Sequence, residues 1–452
     1  MVWKNQNNGE NNLVAKIVFS AISVEILAIT YLTNAGVIEL LGNSIKEVDV
    51  NKQIEFARQC ALEILKPSKK DLEHGLEVHK NSLVFDSYGF SPSSAFDGDQ
   101  LLKAINEGAT PNELTDLREE MTMTRHIFSK ELYAEYVEAW EASGVTCVFQ
   151  NAGVERQDPL EIIKRFARFT YAGDMLRHVL NRVVLPDDVE RTKKEGKHCN
   201  YLMSNGIPLP QLWNNTVDEV GLIRIFFQLG CRMMHMTYNR RNMIGDGCAE
   251  PDNAGLSEFG HAVVKEMNRV GMICDVAHTG WKTCVDVVKA STKPVVSSHS
   301  ACCALKQHMR GKPDEVIRAI VDSGGYNGIC CVPDFLGGSA DINALLDHID
   351  YMVKTFGADC VTIGTDHGYS SMQSAAEWKK VEGVWRGYRA GWESLWPEGS
   401  LRYDWDEKAR QSFAWTNWPL FTVGLVQRGH SDEAIRKIIG GNVMRVIKQV
   451  LS

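Results

Sequence analysis

Short apolar runs of strand length alternate with longer amphipathic segments along most of the chain from residue 83 onward. Each run, such as residues 145–150, predicts a buried parallel strand, because a strand covered by helices on both faces is apolar along its whole length. The segments between the runs, such as residues 259–269, repeat apolar positions at three- and four-residue spacing and predict helices. The predicted strands are residues 83–85, 145–150, 199–204, 232–237, 272–274, 294–296, 326–331 and 360–364. Eight strands that mostly alternate with helices predict an α/β fold, a (β/α)8 TIM-type barrel.

The barrel is expected to carry an extension and two insertions. Residues 1–70 are interpreted as an N-terminal helical extension and residues 71–452 as the barrel domain. The first insertion, at about residues 98–143, is polar and helical. The second, at about residues 370–415, is rich in tryptophan, and we expect these indoles to pack rather than to form a ligand cage.

An apolar run near the start of the chain is the one candidate for a membrane element. This run, residues 13–32, contains Lys16 and Glu25, and a carboxylate near the middle of a membrane span is costly. The residues before it do not resemble a signal peptide. We therefore expect residues 13–66 to form helices that pack on the barrel or on a partner subunit, without attachment to a membrane.

Composition narrows the class of protein. Hydrophobic residues make up 44% of the chain and charged residues 23%, which is typical of a soluble globular protein. The formal net charge of -8 provides no basic surface, so nucleic acid is not expected as a partner. The 12 cysteines include no C-x-x-C pair, which argues against a zinc ribbon and favours free thiols in a reducing cytoplasm.

Candidate chemistry lies at the ends of three predicted strands. His278 follows strand 272–274, His299 follows strand 294–296, and Asp366 follows strand 360–364. The carboxyl ends of parallel strands meet at one mouth of a barrel, so these side chains are expected to converge there. Between the two histidines, Thr279 is expected to cap a helix that ends near Ser291. Neutral imidazoles are suitable zinc ligands, and a carboxylate beside them is a suitable base.

Several motifs occur in an order that resembles a known family. They read GLSEFGHAVVKEMNRVGMICDVAH, PVVSSHS, RGKPDEVIRAI, TIGTD and QRGHSDEAIRKIIGGNVMRV. Together they resemble the membrane (renal) dipeptidase family of metallopeptidases, over about residues 83–446. The resemblance implies an amidohydrolase-type barrel that hydrolyses dipeptides at a two-zinc site and commonly forms dimers.

The resemblance also implies roles for individual residues. His278 and His299 match the two histidines that bind one zinc ion, and Asp366 matches the aspartate that handles the proton of the attacking water. Arg310 matches an arginine that holds the substrate carboxylate; the alternative is a surface ion pair. If it holds substrate, Arg310→Ala is expected to weaken binding of carboxylates and to leave stability nearly intact. His235, within a predicted strand, is expected to be a core residue or a residue of the barrel wall.

Other functional positions depart from the family pattern. Tyr88 and Phe90 stand where a His-x-Asp pair normally binds the other zinc. Asn205, or Gln211 in another alignment, replaces the glutamate that bridges the two ions. Tyr238 replaces a histidine that polarises the substrate. The zinc ion that the His-x-Asp pair would bind therefore has almost no ligands in this chain.

These observations lead to one favoured function and two alternatives. We expect a homo-oligomeric, single-metal hydrolase that cleaves a dipeptide or a small amide with a carboxylate. At most one zinc ion per chain is expected, and its ligands are His278, His299 and Asp366. The catalytic residues are then Asp366 and Tyr238, and the substrate-binding residues are Arg310, Tyr88 and Asn205. The alternatives are a lyase or isomerase that uses the tyrosines as acid/base groups, and a binding protein without catalysis.

Overall fold

The computed structural model describes residues 51–451, except 154, 156–157, 386–391 and 403. The expected helices within residues 13–50 therefore lie outside the described residues. The strands are β1 (Phe85–Ser93), β2 (Cys147–Asn151), β3 (Leu180–Arg182), β4 (His198–Ser204), β5 (Cys231–His235), β6 (Ile273–Asp275), β7 (Val295–Ser300), β8 (Asn327–Ile329), β9 (Val361–Ile363) and β10 (Gly368–Ser370).

The strands form one parallel sheet that curls round on itself. Their order is β10-β1-β2-β4-β5-β6-β7-β8-β9, with β3 paired outside this path to β4. Because β9 and β10 are consecutive along the chain, the pairing of β10 with β1 brings the two edges of the sheet together. The amide of Asp366 donates to the Tyr88 carbonyl at 3.0 Å in the same seam. This arrangement confirms the prediction of a TIM-type α/β barrel.

Helices connect the strands and cover the outside of the sheet. They are α1 (Lys52–Leu65), α2 (Lys69–Asn81), α3 (Gly98–Asn106), α4 (Pro111–Thr124), α5 (Lys130–Ser143), α6 (Pro159–Met175), α7 (Pro186–Lys194), α8 (Thr216–Gln228), α9 (Glu258–Val270), α10 (Trp281–Ala290), α11 (Asp314–Asp322), α12 (Pro333–Leu336), α13 (Ile342–Phe356), α14 (Ser374–Val381), α15 (Glu407–Ser412), α16 (Trp418–Gln427), α17 (Asp432–Arg436) and α18 (Asn442–Leu451). Helices α1 and α2 belong to the same compact unit as the barrel. Within residues 51–451, as far as they are described, no helix is both long and apolar enough to cross a membrane.

Local capping chemistry sets the bounds of the helices near the site. The Ser257 hydroxyl accepts from the Gly260 amide at the start of α9, and Gly271 ends that helix with a φ of 87° that favours glycine. The prediction that Thr279 caps α10 is wrong, since Gly280 is the N-cap. The Thr279 hydroxyl instead accepts from the Thr237 hydroxyl at 3.1 Å, because both side chains are buried at the barrel mouth.

The barrel interior changes from apolar to polar along its axis. One layer consists of aromatic and aliphatic side chains from β1, β2, β4 and β5, including Phe85, Phe149 and Met233, packed with residues of α18 such as Ile447. Nearer the carboxyl ends of the strands, the buried side chains include Asp275 and His299. The apolar layer forms a floor that excludes water, and the site lies above it.

Candidate metal and substrate site

Two buried imidazoles meet at the carboxyl ends of β6 and β7. The Nε2 atom of His278 lies 3.1 Å from the Nε2 atom of His299. The Nδ1 atom of His278 lies 2.7 Å from Oδ1 of Asn239, which also accepts from the Cys248 thiol. Since an amide oxygen only accepts hydrogen bonds, Nδ1 of His278 carries its proton and Nε2 presents a lone pair. The expected convergence of these two histidines is therefore present.

The second imidazole is oriented in the same way. Nδ1 of His299 lies 2.8 Å from the Ser298 hydroxyl, which can accept a hydrogen bond from a protonated Nδ1 and so leave a lone pair on Nε2. Burial, together with nearby Arg310, lowers the pKa of both imidazoles well below 6.5, so both rings are neutral. Two lone pairs that face each other at this distance repel unless a cation lies near them. Two ligands of a tetrahedral zinc ion are about 3.3 Å apart, given Zn–N bonds of about 2.0–2.1 Å.

Two tyrosines cover the faces of these imidazoles. The ring of Tyr88 stacks on His299 with a centroid distance of 3.7 Å, and Tyr238 stacks on His278 at 3.9 Å. The Tyr88 hydroxyl donates to Oδ1 of Asn205 at 2.9 Å. Burial, reinforced by nearby Asp366, raises the pKa of Tyr88 well above 10, so its phenol is a hydrogen-bond donor and a poor base. The two residues that the resemblance predicts at metal-ligand positions thus form a hydrogen bond with each other.

Asp366 lies at the same mouth, in the seam that closes the barrel. Its backbone adopts a φ of 57°, and its side chain lines a cavity together with Tyr88, Tyr238 and Asn205. Among the described residues, the group of three potential metal ligands within 4.8 Å of one another is His235, Asp275 and His299, without Asp366. The role of Asp366 as a metal ligand therefore stays a prediction.

Arg310 lies beneath the histidines and is completely buried. Its Nη1 donates to the Ala277 carbonyl, and its Nη2 donates to the His299 carbonyl at 3.0 Å. The alternative of a surface ion pair is wrong, because the side chain is inaccessible to solvent. Both acceptors belong to segments that carry a site histidine, so Arg310 holds these two segments together. Its contact with a substrate carboxylate stays a prediction.

A buried histidine and aspartate extend the site into the barrel. The register of β5 and β6 pairs His235 with Asp275, and Nε2 of His235 lies 2.8 Å from Oδ2 of Asp275. This confirms that His235 is a core residue, but sequence reasoning missed its partner. The sequence did contain a signal for the position of His235. Side chains alternate along a strand, so Met233 and His235 point to the same face of the sheet. Burial alone would raise the pKa of Asp275, but His235 and the hydrogen bonds from Ser298 outweigh this effect and lower it.

A cavity of about 660 Å³ lies above the two tyrosines. Its aromatic wall includes Trp392, Trp396 and Trp405 from the second insertion. Two cations also line it: Arg402 pairs with Asp404 at 3.0 Å, whereas Arg410 makes no ion pair with any residue that the structure describes. Sequence reasoning missed Arg410, because nothing in the chain around it marks a binding residue. The cavity can hold a small amphipathic molecule that carries an anionic group.

The comparisons with known proteins agree with this architecture. The sequence model of the family described as membrane dipeptidase, peptidase family M19, matches residues 80–384, which is more than half of the chain. The chain belongs to the membrane dipeptidase family. Its curved parallel sheet has the same fold as a related solved structure, described next.

Individual relatives in the dipeptidase family are distant. The chain is 29% identical over 269 residues to dipeptidase tcpJ of Claviceps purpurea, a match that covers 58% of this chain and 54% of that protein. It is 28% identical over 236 residues to dipeptidase verJ of Clonostachys rogersoniana, covering 52% of each. The chain thus spans about half the length of these two relatives. An amidohydrolase from Pseudomonas aeruginosa is 26% identical, with a TM-score of 0.61, covering 83% of this chain and 99% of that one.

Proposed function

We propose that this member of the dipeptidase family hydrolyses a dipeptide or a related small amide with a single zinc ion. The observation that carries the proposal is the pair of facing Nε2 atoms of His278 and His299 at 3.1 Å. Both outer nitrogens have hydrogen-bond partners, so the inner lone pairs are available to a metal. Imidazole is a common ligand of zinc, which suits this pair.

A two-ion centre does not fit this chain. Two cations a few ångströms apart need carboxylates between them. Tyr88, Phe90 and Asn205 stand at the positions that correspond to family ligands, and none of them carries a charge. The hydroxyl of Tyr88 and the amide oxygen of Asn205 already bond to each other. The proposed centre therefore contains one ion.

The chain's own residues have separate tasks in the proposed reaction. A bound zinc ion supplies a Lewis acid, which polarises a carbonyl and lowers the pKa of a water molecule. The Asp366 carboxylate accepts the proton of the attacking water and returns it to the leaving amine. The Tyr238 phenol donates a hydrogen bond to the substrate carbonyl, and Tyr88 and Asn205 also contact the substrate. Together with Asp366, these three side chains line the same cavity.

A free carboxylate on the substrate requires a cationic partner in that cavity. Arg310 corresponds to the family residue for this task, yet both of its terminal nitrogens donate to backbone carbonyls. Arg410 lines the cavity and has no ionic partner within the described part of the chain. We therefore assign the substrate carboxylate to Arg410, where a bidentate pair can form, and assign Arg310 the positioning of the histidine segments.

The test is a screen of dipeptides with the purified chain, with and without added zinc. Hydrolysis is expected only with zinc, and Asp366→Asn is expected to lower kcat by about 10²- to 10⁴-fold. Arg410→Gln is expected to raise KM by about 10- to 100-fold, and Arg402→Gln is the matched control. Turnover that is independent of zinc would refute the metal mechanism and favour a tyrosine-based reaction. Binding of dipeptides without any turnover would favour the non-catalytic alternative.

Assembly and compartment remain predictions. The expected homo-oligomer can be tested by light scattering of the full chain during gel filtration. The cysteines are free thiols, and all except Cys248 are buried, in line with the expectation of a reducing cytoplasm. That location is tested by fractionation of cells that produce the chain.

A further inference from the structure

We infer that His235 and Asp275 complete the ligand set of the ion together with His278 and His299. The inferred site has three imidazoles and one carboxylate, and it lies deeper in the barrel than a site built on Asp366. The inference rests on the proposed function only in taking the cation to be zinc, because it concerns binding of the metal and not turnover of a substrate. Three features of the donors support this site: their proximity, their lack of other partners, and their fixed orientation.

The donors are already close together. One ligand atom from each of His235, Asp275 and His299 lies within 4.8 Å of the other two. Within this group, Nε2 of His235 is 2.8 Å from Oδ2 of Asp275. His278 joins through its Nε2 atom, 3.1 Å from that of His299, and its ring centroid lies 5.3 Å from that of His235. Ligands around one zinc ion are about 3.3 Å apart, so small side-chain movements suffice.

The inner donor atoms lack hydrogen-bond partners. Both ring nitrogens of His235 and Oδ2 of Asp275 are buried, and none of the three has a hydrogen bond of acceptable geometry in the structure. Their contact is therefore close in distance but not aligned as an N–H···O bond. A buried polar atom without a partner destabilises the fold, and coordination of a cation would remove that cost. A hydrogen bond between His235 and Asp275 is the competing explanation, and it leaves the poor alignment unexplained.

Other groups hold the remaining donors in the orientation that the site needs. Oδ1 of Asp275 accepts from the amides of Ala277 and Ser298, each at 3.0 Å, which directs Oδ2 towards His235. Nδ1 of His299 is held by the Ser298 hydroxyl, and Nδ1 of His278 is held by Asn239. Hydrogen bonds of this kind fix the ring orientation and tautomer of metal-binding histidines. The set contributes one negative charge, which suits a divalent transition metal.

The inference also separates metal binding from catalysis. Zinc can expand from four to five ligands, so a set of three imidazoles and one carboxylate leaves a position for the water of the proposed reaction. Two tyrosine rings lie over His278 and His299, and neither histidine lines the cavity above. Affinity for the ion and hydrolysis of a dipeptide are therefore measured independently, so the failure of one leaves the other interpretable.

The experiment measures metal binding by the full chain after chelation and dialysis. Co²⁺ is titrated in and followed by its visible absorption, and Zn²⁺ affinity is obtained by competition with a chromophoric chelator. One ion per chain is expected. His235→Gln is expected to weaken Zn²⁺ binding by at least about 10- to 100-fold, the range seen even for residues that only orient a ligand. Asp366→Asn and the exposed-surface control His261→Gln are expected to bind as tightly as the unchanged chain.

Two further measurements keep the inference testable if His235→Gln fails to fold. Asp275→Asn retains an oxygen for the two amides and removes the anionic ligand, so it is expected to weaken binding similarly. X-ray absorption of the zinc-loaded unchanged chain is expected to count three imidazoles. A count of two, or a folded His235→Gln variant with undiminished affinity, would overturn the inference and leave the His278–His299 centre intact. Failure of the chain to bind any divalent ion would overturn both. Absence of dipeptide hydrolysis in a chain that binds zinc through His235 would refute only the proposed function.

Discussion

Replacement of Arg310 by alanine distinguishes a substrate-binding arginine from a structural one. The family resemblance alone predicts that Arg310→Ala weakens carboxylate binding with little loss of stability. The structure predicts a large loss of stability, because the guanidinium is completely buried and donates to the carbonyls of Ala277 and His299. Its charge also lies 5.3 Å from the ring centroid of Phe335.

The size of the effect follows from the groups that lose their partner. Hydrogen bonds from a charged donor contribute about 1.5–3 kcal/mol each, so two of them correspond to about 3–6 kcal/mol. The void left by the side chain adds to this cost, and removal of a desolvated charge reduces it. A net loss of about 3–6 kcal/mol is a large share of the 5–15 kcal/mol that typically stabilises a domain. Arg310→Lys retains the charge and is expected to lose about half as much.

The assay is equilibrium unfolding in urea at pH 7, with zinc removed so that metal binding does not contribute. The exposed Arg402→Ala variant is the control and is expected to change stability by less than about 0.5 kcal/mol. Zinc affinity of the folded Arg310→Ala fraction should also fall, because the segments of His278 and His299 are no longer held together. An Arg310→Ala chain of unchanged stability that binds carboxylates more weakly would refute this reasoning and restore the substrate-binding role.

Three further predictions concern acid stability, the support of His278 and the number of ions. Burial lowers the pKa of His79 from 6.5 to about 4, so its contribution to stability is present above pH 6.5 and is lost as the pH falls through 4. The loss amounts to about 3 kcal/mol, and urea unfolding of the His79→Gln variant should show a smaller loss over the same pH range. Gly247→Ala would place a Cβ atom 2.1 Å from the carbonyl of Asn239, so it should weaken zinc binding by about tenfold or more, whereas Gly173→Ala, which meets no atom within 4 Å, should not. Metal analysis should find one zinc ion in the unchanged chain, and a second ion only in a variant in which the family's ligands are restored. Unchanged zinc affinity of Gly247→Ala would contradict the prediction about His278, and two ions in the unchanged chain would contradict the prediction about ion number. The restored variant is Tyr88→His, Phe90→Asp and Asn205→Glu.

Several features of the fold and the site were predictable because they depend on local periodicity. Apolar runs and amphipathic segments alternate along the chain, and a buried parallel strand needs helices on both sides, so the barrel follows from the pattern. Asp341 caps α13, as its position before an apolar segment predicts. Strand β3 was missed because it is not an apolar run: Asn181 is only half-buried and Arg182 is exposed. The equally short strands β6 and β9 are buried throughout and were predicted.

The order of strands and helices, the family and the strand ends at which His278, His299 and Asp366 stand all follow from the amino-acid sequence. The contacts that these residues make depend on the tertiary structure. The register of β5 against β6 places His235 beside Asp275, although they are distant in the chain. Likewise, the path of the loop after β7 buries Arg310 beneath the histidines, and the tyrosine rings settle on the imidazole faces. These contacts join different strands and loops, and their geometry depends on packing across the barrel rather than on any local pattern of residues.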